Sequence, residues 1–260
     1  MSFIKTLLLS LSLLSVLSFL PGIAPIIVPS SFAADANGTV VITGANRGIG
    51  LALAKRYHQA GYDVIATARN PAKAAELAAL GVRIEQLDVT DPASVGAMAK
   101  RLKGVPVDIL INNAGVFGHD ASSFAELDIE QLDRVYNINS LGPLRVTQAL
   151  LPNVIASEGK RVANISSQMG SMELNSWGCC MGYRASKAAL NSFNKTLSLE
   201  LGKQGLVMVV LHPGSVKTRL NESGSITVSE SAQGLFKVIS ALDSEDNGKF
   251  YDFKGKSLPW

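Results

Sequence analysis

Tyr183 and Lys187 stand out first, in the run Tyr183-Arg184-Ala185-Ser186-Lys187-Ala188-Ala189-Leu190. Positions four apart share one face of an α-helix, so this spacing sets an ammonium beside a phenol. A free phenol has a pKa of about 10. A neighbouring cation favours the phenolate and lowers that value, which suits Tyr183 to proton transfer near neutrality. Most tyrosine–lysine pairs at this spacing are plain surface neighbours, so the pair gains meaning only from what surrounds it.

A second group of residues lies near the start of the domain. Thr39-Val40-Val41-Ile42-Thr43 reads as a buried strand and runs into Gly44-Ala45-Asn46-Arg47-Gly48-Ile49-Gly50, after which a helical pattern begins. Gly44 can take backbone angles closed to other residues. Gly48 lets the main chain approach a pyrophosphate, and Gly50 lets helix and strand pack closely. The helix N-terminus adds free N–H groups and a favourable dipole. Strand, glycines and helix together predict a dinucleotide site. An NAD site needs a carboxylate at the end of the second strand to hold the ribose 2′-hydroxyl. Here that strand ends in Ala68 and Arg69, and Arg47 is expected near the same ribose. Two guanidinium groups suit a 2′-phosphate, so the expected cofactor is NADP(H).

The elements that must position these residues alternate along the chain. Strands are expected at Thr39–Thr43, Asp63–Thr67, Arg83–Leu87, Asp108–Ile111, Arg161–Ile165, Leu206–Leu211 and Lys249–Tyr251. Most are continuous apolar runs, as strands buried on both faces read. Helices are expected at Gly48–Ala60, Ala72–Leu80, Pro92–Lys103, Ile129–Leu150 and Tyr183–Leu201. This alternation predicts a single α/β domain over residues 37–260: a Rossmann-type, doubly wound parallel sheet of about seven strands with helices on both faces.

The Gly-x-x-x-Gly-x-Gly spacing after Thr43 resembles that of the short-chain dehydrogenase/reductase family, and four further segments match that family in order. They are Asp88 after the third strand, Asn112-Asn113-Ala114-Gly115 after the fourth, Tyr183-x-x-x-Lys187, and Pro213-Gly214-Ser215-Val216-Lys217-Thr218 after the sixth. The resemblance covers about residues 38–260. The ending Gly248-Lys249-Phe250-Tyr251-x-Phe253-x-Gly255-x-x-Leu258-Pro259-Trp260 is similar to that of C-factor and sniffer-type carbonyl reductases. The resemblance implies reduction of a small-molecule carbonyl with Tyr183 as general acid. It implies that Lys187 lowers the phenol's pKa and holds the nicotinamide ribose. Ser167 would polarise the substrate carbonyl, and Asn139, in Asn137-Ile138-Asn139-Ser140, would hold a relay water. The cofactor site it implies comprises Thr43, Gly44, Asn46, Arg47, Gly48, Ile49, Gly50, Arg69, Asp88, Val89, Asn113, Ala114, Gly115, Tyr183, Lys187, Pro213, Gly214, Val216 and Thr218. One departure stands out. Ser167 precedes Tyr183 by 16 positions, more than is usual in the family, which points to an insertion within Met172–Met181 and leaves Ser166 as an alternative to Ser167. Strand alternation lets only one of the two face the site, and Ser167 is expected to be that residue.

Substrate contacts are expected from the loops Val116–Ser123, Gly170–Gly182 and Ser215–Thr227, with Met172, Leu174, Trp177 and Met181 as an apolar wall. Cys179 and Cys180 fall in that wall. Being adjacent and the only two, they are expected to be small packing residues with no disulfide framework. Scattered histidines and cysteines show no metal-ligand spacing. The formal charge of +3 and the lack of a dense basic run speak against nucleic-acid binding. Lys100, Arg101 and Lys103 read as the solvated face of a helix. Relatives pair through their two long helices, so a homodimer through Ile129–Leu150 and Tyr183–Leu201 is an implied expectation.

Residues 1–33 differ in kind. Lys5 precedes apolar residues from Leu7 to Leu20 and from Ile23 to Val28, and Ser31 and Ala33 offer a cleavage point before Ala34. This fits a signal peptide. It also fits an uncleaved membrane anchor through residues 7–28, although Pro21 and Pro25 weaken a single helix. Export or anchoring is expected, with an organellar or cytoplasmic-side location as the alternative, because NADPH is scarce outside the cell. The competing class of function is a dinucleotide-binding signalling or scaffold protein with little turnover.

Overall fold

The computed structural model describes residues 37–118 and 124–260. The leader or anchor expected at residues 1–33 lies outside the described residues, as does part of the loop expected at Val116–Ser123. Among the described residues no helix is long and apolar enough to cross a membrane.

Seven parallel strands form one sheet in the order β3-β2-β1-β4-β5-β6-β7. They are β1 (Thr39–Ile42), β2 (Asp63–Ala68), β3 (Arg83–Gln86), β4 (Ile109–Asn112), β5 (Arg161–Ile165), β6 (Val207–His212) and β7 (Phe250–Asp252). The chain winds outward from β1 to β3, then restarts at β4 on the other side of β1. The C-terminal ends of β1 and β4 thus open a crevice, where such folds bind ligands.

The strands read as unbroken apolar runs because each face of the sheet has its own core. Val40, Ile42, Ile109, Ile111, Val207, Val209 and Leu211 enter one cluster. The alternating residues Val41, Leu110 and Met208 enter the other. Helices α1 (Gly48–Gln59) and α7 (Val228–Ala241) supply the first cluster through Leu51, Leu53, Leu235 and Ile239. Helices α3 (Pro92–Arg101) and α5 (Gly142–Ile155) supply the second through Val95, Met98, Val146 and Leu150.

Three expectations need correction. Ala72–Leu80 is not one helix but a 3₁₀ turn at Pro71–Lys73 and a short α2 (Ala75–Ala78). Ile129–Leu150 is not continuous: a π-helical turn, Asn137–Leu141, separates α4 (Ile129–Tyr136) from α5. Helix α7 was not anticipated, although its capping box is legible as Thr227-x-x-Glu230, each side chain bonding the other's backbone.

The long helix α6 (Met181–Leu201) carries Tyr183 and Lys187. A ladder of buried amides ties it to the sheet. Asn112 donates to Asn164 at 2.8 Å and to Thr147 at 3.0 Å, Asn164 donates to Asn194 at 2.9 Å, and Asn194 reaches the Met208 carbonyl at 3.4 Å. Buried amides are costly when unpaired. Asn164→Leu would remove the central link and strand the Asn194 acceptor. We expect it to lower unfolding stability by about 2–3 kcal/mol, read as a fall in the urea midpoint with an unchanged slope.

Candidate active site

The turn after β1 is shaped for an anion. Gly44 and Gly48 have φ of +63° and +55°. Arg47 takes the N-cap position of α1 without a side-chain cap, and the first turn holds no acidic residue. The helix therefore presents its leading N–H groups unblocked by its own side chains. A Cβ at Gly50 would lie 2.6 Å from the Gly44 carbonyl oxygen and 2.9 Å from the Ala45 Cα, so only glycine fits there. Ile49 packs against the core and Asn46 is exposed.

Two residues expected at the cofactor site, Thr43 and Asn113, also clasp the protein to itself. The Thr43 hydroxyl accepts from the backbone N–H of Asn113 and of Ala114, each at 3.0 Å. The Asn113 amide donates to the carbonyls of Thr43 and Gly44 at 2.9 and 3.2 Å. Together they join the ends of β1 and β4 and hold the glycine turn. Thr67, which the sequence did not single out, adds to the clasp: its carbonyl accepts from Ala45 N–H at 2.8 Å and its hydroxyl from Gly44 N–H at 3.3 Å.

Arg47 and Arg69 are both exposed, and among the described residues neither forms an ion pair. Burial alone would raise the carboxyl of Asp88, but hydrogen bonds from Thr90 and the charge of Arg69 outweigh it and hold the pKa below the ordinary value. Val89 is buried beneath α5, where a Cβ on Gly142 would strike it. Past β6, Pro213 and Gly214 lead to a buried Val216 that bridges Ile226, and the Thr218 methyl reaches within 3.9 Å of a Cβ built on Gly48. The loop after β6 therefore comes close to the glycine turn.

The four catalytic candidates gather at the C-terminal ends of β4 and β5. Ser166 turns inward and donates to Asn191 at 2.8 Å. Ser167, not Ser166, is the serine that adjoins Tyr183. Tyr183 is partly buried, and the Phe117 ring lies 4.8 Å from it, a neighbour not foreseen from sequence. Lys187 is 5% exposed and donates to the Ile165 carbonyl at 2.9 Å. Its Nζ sits 5.8 Å from the centre of the Tyr183 ring. Asn139 is fully buried in the π-helical turn, a feature frequent at functional sites. It accepts from Val116 N–H at 2.9 Å and donates to the Val116 carbonyl at 2.8 Å and to Ser186 at 3.0 Å. Ser186 in turn donates to the Tyr183 carbonyl at 2.8 Å. Asn139 thus pins the segment after β4 to the first turn of α6.

Burial governs the two titrating groups. It pushes the Tyr183 phenol up to about 12, with the Ser167 hydroxyl working against the rise. It pulls Lys187 down to about 8. The expected lowering of the phenol by the ammonium is not what this geometry gives. The ammonium is committed to Ile165 and lies beside the ring, so desolvation dominates.

The loop between Ser167 and Tyr183 presents Met172, Leu174, Trp177 and Met181 to solvent, at 79, 39, 65 and 47% exposure. The expectation for the cysteines is overturned, because Cys179 and Cys180 are bonded to each other. Adjacency, taken to exclude a disulfide, here permits a ring closed across one peptide.

The chain is similar to known proteins over most of its length. The family model described as short chain dehydrogenase matches residues 38–228. The C-signal of Myxococcus xanthus is 42% identical over 156 residues, which cover 60% of this chain and 93% of that protein. An NADPH-bound carbonyl reductase from chicken fatty liver is 35% identical, with a TM-score of 0.78 over 86% of this chain and all of that one. The carbonyl reductase Sniffer of D. melanogaster is 29% identical, with a TM-score of 0.81 over 87% of this chain and all of that one.

The crowding at Gly50 gives a direct check on the anion turn. Gly50→Ala should force the turn apart and weaken dinucleotide binding by at least about tenfold, or about 1.4 kcal/mol. Fluorescence titration with NADPH would measure it.

Proposed function

This chain belongs to the short-chain dehydrogenase/reductase family, and on that premise we propose that it is an NADPH-dependent reductase of aldehydes, ketones or quinones. The observation that carries the proposal is the convergence of Ser167, Tyr183 and the buried Lys187 beside a glycine turn. Support for NADP(H) over NAD(H) comes from two exposed guanidinium groups, Arg47 and Arg69, and from the absence of a carboxylate at the end of β2. Gly44, Gly48 and the open N-terminus of α1 would hold the pyrophosphate. The 2′-phosphate would lie between Arg47 and Arg69, with Lys187 and the Pro213–Thr218 loop toward the other end.

The nicotinamide, when bound, supplies the hydride. The chain's own residues manage the proton. A carbonyl oxygen placed between Ser167 and Tyr183 would accept hydrogen bonds from both hydroxyls, which polarises the carbonyl. With its pKa raised, Tyr183 stays protonated throughout the neutral range and so stands ready as the donor. Once the proton has left, the Lys187 ammonium, 5.8 Å from the ring centre, would stand beside the phenolate. Because burial draws its own pKa to about 8, Lys187 can also yield a proton near neutrality. Asn139 acts through Ser186 and Val116, keeping the Tyr183 turn in register with β4.

A second assignment is favoured by one observation, the similarity to a protein called C-signal. There the fold would bind a dinucleotide and signal with little turnover. We further assign residues 1–33 to a leader or anchor outside the catalytic domain at 37–260.

Tyr183→Phe separates the two functions. It should keep NADPH affinity within a few-fold and lower carbonyl turnover by about 10²–10⁴-fold, the usual share of a general acid. A variant that reduced carbonyls at the parental rate would reject the chemistry. For the cofactor, Arg69→Ala should raise the KM for NADPH by about 10–100-fold, the loss of a charge-assisted bond of about 1.5–3 kcal/mol. The KM for NADH should change little, and equal losses with both cofactors would rule out a 2′-phosphate contact.

A further inference from the structure

We propose that Cys179 and Cys180 form a reversible redox pair that sets the shape of the loop between Ser167 and Tyr183. The two sulfurs are bonded across adjacent residues. Gly178, Cys179 and Cys180 have φ of +68°, +60° and +58°. Glycine takes such angles freely, but for an L-residue the left-handed region costs about 1–2 kcal/mol. Two cysteines in succession hold it here while one ring binds them together. Opening the ring removes the covalent reason for both to stay there.

The bond is placed where its state is felt by the site. Cys180 is the N-cap residue of α6, three positions before Tyr183. The Cys180 carbonyl accepts from Arg184 N–H at 2.8 Å. The Arg184 guanidinium, 7% exposed, donates through Nε to the carbonyls of Gly178 and Cys179, each at 3.0 Å. The same group lies 4.7 Å from the centre of the Trp177 ring and reaches the Met169 carbonyl at 3.4 Å. Among the described residues its Nη2 is buried without a partner, so Arg184 is held by those three carbonyls. A cavity of about 480 Å³ lies against this assembly, lined by Met169, Met172, Cys179, Cys180, Met181 and Arg184 among others. Rotating the cysteine peptides would shift two of the acceptors of Arg184 and with them Trp177, Met181 and the first turn of the catalytic helix.

Cys179 is exposed, so a thiol reductant can reach the bond. The reductant is a dithiol. One of its thiolates attacks a cysteine sulfur, breaking the Cys179–Cys180 bond and forming a mixed disulfide. Its second thiolate then closes the reductant's own disulfide. Two electrons pass from the dithiol to the pair, and its two protons end on the Cys179 and Cys180 thiols. A low-molecular-weight disulfide reverses the exchange.

The redox event stands apart from the catalytic assignment, whereas its effect on turnover rests on it, so the experiment reads both. The full chain, oxidised and then treated with dithiothreitol, is labelled with iodoacetamide and weighed by mass spectrometry. No label before reduction and two after it are expected. In a Trp260→Phe background Trp177 is the one remaining tryptophan, and its emission should change on reduction. It should not change when Cys179→Ser and Cys180→Ser are added. With NADPH, the KM for an aromatic aldehyde should differ about fivefold or more between the two states, the low end of coupling between two sites. Two labelled thiols in the oxidised protein, or identical emission and KM in both states, would overturn the pair. Labelling and emission that respond as expected, with no turnover in either state, would leave the redox pair standing and count against the reductase.

Discussion

A buried ammonium held by one backbone carbonyl is the constraint around which the rest of the site is built. Lys187 lies beneath the surface with the Ile165 carbonyl as its acceptor, and its depressed pKa reports the cost of keeping that charge away from water. Glycines lie where the chain comes nearest to it. A Cβ on Gly115 would lie 3.7 Å from Nζ and 3.2 Å from the Asn139 oxygen. A Cβ on Gly170 would lie 2.8 Å from the Lys187 backbone. Gly170 therefore lets the loop after β5 lie against the Lys187 turn, and Gly115 brings the segment after β4 close to its ammonium.

Holding that turn still requires polar contacts inside an otherwise apolar sheet. The Asn112, Asn164 and Asn194 ladder does so from below, and Asn139 with Ser186 does so from the side. Each amide is expensive to bury and is offset only while its neighbours stay in place. Such networks add little net stability but exclude alternative positions of the helix. The π-helical turn has the same logic. It departs from regular geometry where Asn139 must aim at Val116 rather than along the helix axis.

How much could be read from the chain follows from how local each cause is. The seven strands were legible because burial on both faces demands apolar residues without a break. The glycine turn was legible because its steric demands fall on consecutive positions. The interruption at Asn137–Leu141 was not, since apolar spacing continues through it. Helix α7 was missed although Thr227 and Glu230 announce it; the capping pair was there to be seen. The internal duty of Thr43 and Asn113 needs β1 and β4 side by side, and no local pattern carries that information. The cysteine bond depends on backbone angles that no residue type other than glycine signals.

The two ends of the crevice are made differently. On the proposed function, glycine, helix terminus and arginine at one end would answer to the fixed shape of a dinucleotide. At the other end, Met172, Leu174, Trp177 and Met181 are exposed although large and apolar. Neither the sheet nor the ladder requires them. The longer segment between Ser167 and Tyr183 contains all four, and Arg184 anchors it through backbone carbonyls rather than through side chains. Such an anchor fixes where the loop is held but leaves its side chains free to differ. On the proposed function, discrimination between carbonyls would fall to this loop, and the reduction itself to the sheet ends and α6.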